Sequence, residues 1–340
     1  MAKCDLHIEF DRDQRLYKLG EAMPGKVIVV AHAAFQCRKI TLVRAWKTSG
    51  RGNETSGGDE GMILDEGAEF QAGEKREYPF QFGALRGPVS YQGHLLNVEW
   101  VLRAQVDLPA AVDVNKEEKF ALGPGEIAEE ILLGTTEQIS GDYYETTTSH
   151  RARLSKAEAL ALPFLVLGVV MMVMASGNPL GLILGLAVSG FGLWQLYIWL
   201  RNRLAKQKLG AIDVHVSPDR VRVGNRVECQ CLFKPHDLRR LNKIMATLKC
   251  EERVMSGSGS LRNAHAHTIY ETTLEQTNQN AVAVGEKMQI AIAFQIPPHS
   301  PCTFHAPDNA VNWHLRVQLD IPGWPDWIQD FPLTVLPPAK

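Results

Sequence analysis

The sequence predicts a mainly β protein: two antiparallel, immunoglobulin-like β-sandwiches with a two-helix transmembrane hairpin between them. Three observations carry that prediction. The block from Ala159 to Leu200 contains no Asp, Glu, Lys or Arg. The segment VEWVLRAQVDLP from Val98 returns as VNWHLRVQLDIP from Val311. On both sides of the block, apolar residues alternate with polar ones at period two, the signature of strands with one buried face. Averaged over 340 residues the chain is 45% hydrophobic and 22% charged with a net charge of -2, which hides the apolar block. A net charge so close to zero supplies no whole-chain field for nucleic acid, and nucleic acid is not expected as a partner.

Residues 1–122 form the first predicted sandwich. Val27 to Val30 and Ile40 to Val43 are strand candidates, and Trp100, Leu102, Ala104, Val106 and Leu108 share one face opposite Val101, Arg103, Gln105 and Asp107. Residues 123–154 are long and polar and read as a linker, with Glu126 to Leu133 able to form a short helix.

Residues 155–204 read as the hairpin. Two apolar runs, Ala157 to Ala175 and Leu180 to Leu200, flank Ser176-Gly177-Asn178-Pro179. About 20 residues at about 1.5 Å each cross about 30 Å of hydrocarbon. Ser155 with Glu158 matches a capping box at the start of the first helix, and Gly-Asn-Pro suits a tight reversal. Arg151, Arg153 and Lys156 precede the first run and Arg201, Arg203, Lys206 and Lys208 follow the second, so the positive-inside rule places both flanks and both termini in the cytoplasm. Trp194, Tyr197 and Trp199 form an interfacial belt. Gly181, Gly185 and Ser189 make a small-residue face on the second helix, as Ala161, Gly168 and Ala175 do on the first. That face fits packing within the hairpin, a homo-oligomer contact or a partner helix. Beyond the capping Glu158 at the very start of the first run, neither run contains Asp, Glu, Lys, Arg or His, so the hairpin is expected to be an anchor rather than an ion path.

Residues 209–340 form the second sandwich. Val227 to Leu232, Ile244 to Leu248 and Lys287 to Ile296 are strand candidates, and Trp313, Leu315, Val317, Leu319 and Ile321 repeat the alternation of the first half. The correspondence extends upstream, with Gly73-Glu74-Lys75 matching Gly285-Glu286-Lys287 and Lys39 onward matching Lys243 onward. One fold is present twice. The stretches YKLGEAMPGKVIVV from Tyr17, VEWVLRAQVDLP, FQIPPHSPCTF before Trp313 and the terminal FPLTVLP together resemble the arrestin family. That resemblance implies two seven-stranded sandwiches in tandem, and the duplicated fold with the lack of a catalytic constellation leads to the expectation of a non-enzymatic, partner-binding role. Arrestins lack a membrane hairpin between their domains, and no basic amino-terminal phosphate sensor is present to carry over.

Little in the chain suggests chemistry. Cys4, Cys37, Cys229, Cys231, Cys250 and Cys302 include no CxxC pair, and no apolar leader precedes them, so buried thiols in a reducing compartment are expected. Cys229 and Cys231 fall on one face of a strand, a packing arrangement. His265 and His267, with His236, His299 and His305 in the same half, are the only metal candidates, and SGSGSLRNAHAHT reads as an exposed hairpin end; no metal or cofactor is expected. The Gly-rich stretches 50–61 and 256–260 lack the Lys-Ser/Thr of a phosphate loop and read as loops. Arg103 and Arg316, with Asp107 and Asp320, read as an ion pair or polar lining tied to the fold rather than a contact to a charged ligand. Trp324 and Trp327 in IPGWPDW, where the first half has LPAAVD, are either an exposed anchor for a partner or lipid, or a cover packed over the sandwich end. The expectation is a membrane-anchored cytoplasmic scaffold or adaptor that binds proteins through its sandwiches and the bilayer through residues 157–200. The alternative is an accessory subunit of a membrane transport or envelope assembly, with Gly181, Gly185 and Ser189 facing partner helices.

Overall fold

The computed structural model describes residues 3–109, 111–125, 166–167, 169–174, 178–210, 212–236, 241–277 and 285–338. The first half comprises β1 (Cys4–Phe10), β2 (Leu16–Lys18), β3 (Met23–Ala31), β4 (Phe35–Gln36), β5 (Lys39–Gly50), β6 (Ser56–Glu66), β7 (Glu69–Phe70), β8 (Lys75–Phe82), β9 (Tyr91–Gln92), β10 (Leu96–Asp107) and β11 (Val114–Gly123). After the helix α1 (Pro179–Leu209) the second half comprises β12 (Ile212–Ser217), β13 (Arg220–Arg222), β14 (Arg226–Phe233), β15 (Lys243–Ser256), β16 (Asn263–Thr277), β17 (Met288–Gln295), β18 (Phe304–Ala306), β19 (Asn309–Asp320) and β20 (Trp327–Leu336).

The duplication is visible strand by strand. A small sheet β1-β3-β8 faces a large sheet β2-β11-β10-β5-β6 in the first half, and β12-β14-β17 faces β13-β20-β19-β15-β16 in the second. The short β9 and β18 pair with β10 and β19 in the same way. Setting the short pieces aside, each half contains seven main strands. One detail departs from the all-antiparallel expectation: β2 runs parallel to β11 and β13 parallel to β20. Each is a three-residue segment crossing from the small sheet to the large one, where it covers the exposed edge of the last strand in the half.

Alternation explains the core. In β10 the residues Leu96, Val98, Trp100, Leu102, Ala104 and Val106 are buried, and in β19 Val311, Trp313, Leu315, Val317 and Leu319 are buried. Trp100 Nε1 donates to the Pro88 carbonyl at 2.7 Å, and Trp313 Nε1 donates to the Pro301 carbonyl at 2.9 Å, each twelve residues upstream. The polar face is equally duplicated. Arg103 pairs with Glu117 and Arg316 with Asp330, and Gln105 bonds Asp113 as Gln318 bonds Asp326. The arginines therefore reach across to the neighbouring strand rather than along their own to Asp107 and Asp320, which bond Arg38 and Asn242 instead.

Two Gly-rich stretches differ in outcome. Residues 50–61 are only partly loop, because Ser56 begins β6, while 256–260 form the turn between β15 and β16. His265 and His267 lie at the exposed start of β16, just past that turn, at the hairpin end. Ladder pairing to Val254 and Glu252 draws them into the sheet.

Residues 166–167 and 169–174 of the first apolar run are helical, and most of the linker and the start of that run lie outside the described residues. The second run opens α1, in which Leu180, Ile183, Leu186, Leu193 and Trp194 are exposed. Among the described residues, no helix is long and apolar enough to cross a membrane. The last turns of α1 turn onto the second sandwich. Ala205 and Leu209 are fully buried, and the His236 N–H donates to the Lys208 carbonyl at 3.1 Å.

Candidate functional site

The junction between the two sandwiches gathers the unusual side chains of the molecule. On the inward face of β15, Ile244, Ala246, Leu248 and Cys250 are followed by Glu252, which is 0% exposed. A buried carboxylate is costly unless its oxygens are hydrogen-bonded. Those of Glu252 are met by the β9–β10 turn of the other half. Oε1 accepts from the Tyr91 hydroxyl at 2.7 Å and the His94 N–H at 3.0 Å, and Oε2 accepts from the Leu95 N–H at 2.7 Å. Burial and the neighbouring carboxylate push the Tyr91 phenol far above its ordinary range, so it remains a donor. Gly93 sits directly over this contact, and a Cβ there would lie 2.5 Å from the Tyr91 hydroxyl and closer still to Glu252. His94 stacks on His267 of β16 with ring centroids 4.2 Å apart.

The second half of the junction uses the 51–55 loop of the first sandwich. Asn309, 3% exposed, donates to the Thr48 hydroxyl at 3.2 Å and the Asn53 carbonyl at 2.7 Å. The Asn53 N–H donates to the Met255 carbonyl, its side-chain NH₂ to the Gly257 carbonyl, and its Oδ1 accepts from the Gly257 N–H. The Thr55 hydroxyl donates to the Pro307 carbonyl at 2.7 Å. Trp46 meets Phe304 edge-on with centroids 5.8 Å apart.

These contacts are related by the internal repeat. Trp46 and Cys250 occupy equivalent ladder positions opposite Trp100 and Trp313, so Thr48 corresponds to Glu252 and Leu96 to Asn309. The contact of Thr48 with Asn309 is thus the counterpart of the contact of Glu252 with the turn before Leu96. The sandwiches meet through the same end of the same strands, as a two-fold homodimer would, within one chain.

Between them lies a cavity of about 430 Å³, lined by equivalent pairs such as Pro88 with Pro301, Tyr91 with Phe304 and Val98 with Val311. Its hydroxyls are engaged, Ser90 by the Leu122 N–H and Thr303 by the Val335 N–H. The Cys302 thiol on its wall is pushed up to about 12 by burial and stays protonated at neutral pH. The site can bury apolar surface and hold the halves together. Among the described residues, no group of three or more His, Cys, Asp or Glu is placed to hold a metal.

The sequence-selected residues distribute differently. Trp327 lies within β20 at 2% exposure, so it belongs to the core and does not present an anchor. Trp324 is 37% exposed at the tip of the β19–β20 turn, with the Lys208 ammonium 5.2 Å from its ring centroid. The proposed pair is therefore one core residue and one surface residue. Gly185 and Ser189 are buried on α1 while Leu184 and Leu186 beside them are exposed, so part of the small-residue face is already enclosed within the chain. The side-chain surroundings of position 181 lie outside the described residues. Cys229 and Cys231 share a buried face with sulfurs 4.0 Å apart, as their spacing predicts.

Glu252, Asn309, Asn53 and Gly93 did not emerge from motif reading. The signal for Glu252 was present: a carboxylate interrupting an otherwise apolar period-two face.

Fold and junction together define a duplicated β-sandwich protein whose halves are docked end to end. No family model matches the chain, and no curated protein matches it. Among solved structures, the crystal structure of Spo0M, sporulation control protein, from Bacillus subtilis is similar over 36% of this chain and 50% of that one, at 17% identity and a TM-score of 0.31. The chain thus spans about half the length of that structure.

Proposed function

We propose that the protein is a non-enzymatic, membrane-anchored scaffold or adaptor that presents two arrestin-like sandwiches as a single docked body. The observation that carries this reading is the junction, where Glu252 and Asn309 spend fully buried polar groups on fixing one sandwich against the other. A rigid pair presents a composite surface that neither half offers alone. It leaves β6 and β16 as edge strands of the two large sheets, available for pairing with an extended partner segment. The anchor is the pair of apolar runs 157–175 and 180–200, supported by the exposed leucines of α1, with both sandwiches on the cytoplasmic side where the flanking Arg and Lys residues lie.

The test is capture of the full chain from mildly solubilised membranes beside two variants, one lacking residues 155–204 and one carrying Glu252→Ala. A protein partner retained without the hairpin and lost with Glu252→Ala supports the docked scaffold. Retention that depends only on the hairpin, and is abolished by Leu at Gly181, Gly185 and Ser189, replaces it with the membrane-assembly subunit.

A further inference from the structure

We propose that the helix-proximal end of the second sandwich rests on an anionic membrane surface, with the Trp324 tip at headgroup level. This deepens the anchored-scaffold reading and rests on it.

The register places one end of the sandwich beside the helix. Ile212 follows α1 and pairs with Phe233, which pairs with Met288, while Lys243 pairs with Asp320 and Thr277. The β19–β20 turn carrying Trp324 closes the same end. The opposite end, with Val254, Phe304 and Asn309, holds the first sandwich.

The joint between helix and sandwich is packed, not hinged. Ala205 and Leu209 are buried, Lys208 is bonded through its carbonyl to His236, and its ammonium lies over Trp324. The apolar run ends at Leu200, so Lys208 lies about 12 Å beyond it along an untilted helix. Headgroups extend about 5 to 8 Å past the hydrocarbon on each side, and helical side chains lean toward the helix N-terminus, so the Lys208 side chain, with the Trp324 ring beside its ammonium, leans back toward that layer.

Charge selects the lipid. Residues 201–208 of α1 include Arg201, Arg203, Lys206 and Lys208 with no acidic residue anywhere in the helix. Lys234, Lys243 and Lys287 join them at the sandwich end. Of the acidic groups there, Asp320 bonds Asn242, Asp326 bonds Gln318 and Glu275 pairs with Lys243, while Glu286 flanks Lys287 and Asp213 is exposed beside Ile212, so the cations of the helix end outnumber the carboxylates left to solvent. A cationic helix end with an adjoining Trp fits anionic headgroups.

The duplication provides an internal control. In the first half the position equivalent to Trp324 is Ala111, in a turn against which, among the described residues, no helix is docked. The aromatic tip occurs only in the half joined to the apolar helix.

The experiment uses the full chain in a Cys302→Ser background, reconstituted in phosphatidylcholine vesicles with or without phosphatidylglycerol. Single nitroxides are placed at Trp324→Cys, at Lys287→Cys, which leaves Trp324 intact, and at Val112→Cys on the first sandwich. Collision with a water-soluble nickel chelate should fall about threefold or more at 324 and 287 relative to 112 in phosphatidylglycerol vesicles, and less in phosphatidylcholine alone. Equal access at all three positions, in protein that still floats with the vesicles, overturns the proposal and leaves the anchor standing. Protection that is the same in both lipids overturns the anionic selection. Protein that fails to float overturns the anchor and the proposal with it.

Discussion

At the scale of single residues the junction is set by what each buried atom meets. Replacing Glu252 by Ala leaves the Tyr91 hydroxyl and the His94 and Leu95 N–H groups facing an emptied pocket. Orphaned buried donors cost about 1–3 kcal/mol each in the worst case, so a loss of about 2–4 kcal/mol is expected, seen as a lower thermal midpoint and earlier separation of the halves in limited proteolysis. Gly93→Ala should do the same by steric means, because its Cβ would collide with the Glu252 carboxylate, whereas Gly83→Ala meets nothing within 4 Å and should be neutral. A pH effect is expected from two partly buried histidines. His305 and His314 are both held below the ordinary 6.5 by burial, and His305 Nε2 has no partner among the described residues. The unfolded chain therefore binds more protons than the folded one. Their stabilisation is full above the ordinary 6.5 and is lost as pH falls below it through their lower folded-state values. Carboxylates held low by cations, such as Glu117 beside Lys47 and Arg103, lose theirs only below the ordinary 4.5. Thermal melts between pH 7.5 and 5.5 should show a fall that His305→Phe with His314→Phe flattens, and an unchanged slope in that variant would assign the fall elsewhere.

At the scale of elements the repeat makes paired predictions possible. Trp100→Phe and Trp313→Phe each remove an indole N–H from a proline carbonyl in the same setting, so both should cost about 1–2 kcal/mol. Arg103→Ala and Arg316→Ala break exposed pairs and should cost under about 1 kcal/mol each in denaturant melts. A large asymmetry between members of either pair would mean that the halves are alike in trace but not in energetics. The same strands show why much of the fold was legible in the sequence. Trp100 to Leu108 and Trp313 to Ile321 alternate because one face is core and the other faces outward, with Val101, 2% exposed, the buried exception on the outer face, and their duplication removed the ambiguity of any single strand. What stayed hidden depended on contacts between the halves. Loop 51–55 reads as a featureless Gly/Asn segment because its partners, Met255, Gly257 and Asn309, lie over 200 residues away and leave no local pattern. His265 and His267 fall, as an exposed hairpin end would have them, just past the β15–β16 turn, but that β16 continues from there as a 15-residue edge strand is blurred by its mixed exposure. Trp327 was grouped with Trp324 by proximity, although Pro325 and Asp326 let the chain re-enter the sheet between them.

At the scale of the whole molecule, the helix enters one end of the second sandwich and the first sandwich docks on the other. β15 spans that distance with 14 residues, about 46 Å at about 3.3 Å per residue. The anchored reading therefore makes the second sandwich a pillar that holds the first away from the bilayer. The first half ends at Pro124 on the wall of the junction cavity, at the far end of the pillar, and its chain must return from there to the first apolar run. A linker over residues 126–154, about 30 residues with an extended reach near 100 Å, is ample for that return, and a short loop would not be. Deletions inside it should behave as a threshold. Leaving about 20 residues between Gly125 and Ser155 still spans the pillar, whereas leaving fewer than about 10 cannot, and the first sandwich must then leave Glu252. Spin labels at Val112→Cys and Leu261→Cys, both on exposed sites of opposite halves, would report this in reconstituted full-length protein. The distance between them should be unchanged in the longer deletion and broad in the shorter. A sharp, unchanged distance in the shorter one would show that the chain does not have to travel the length of the second sandwich, and the pillar would have to be abandoned while the docked junction itself remained.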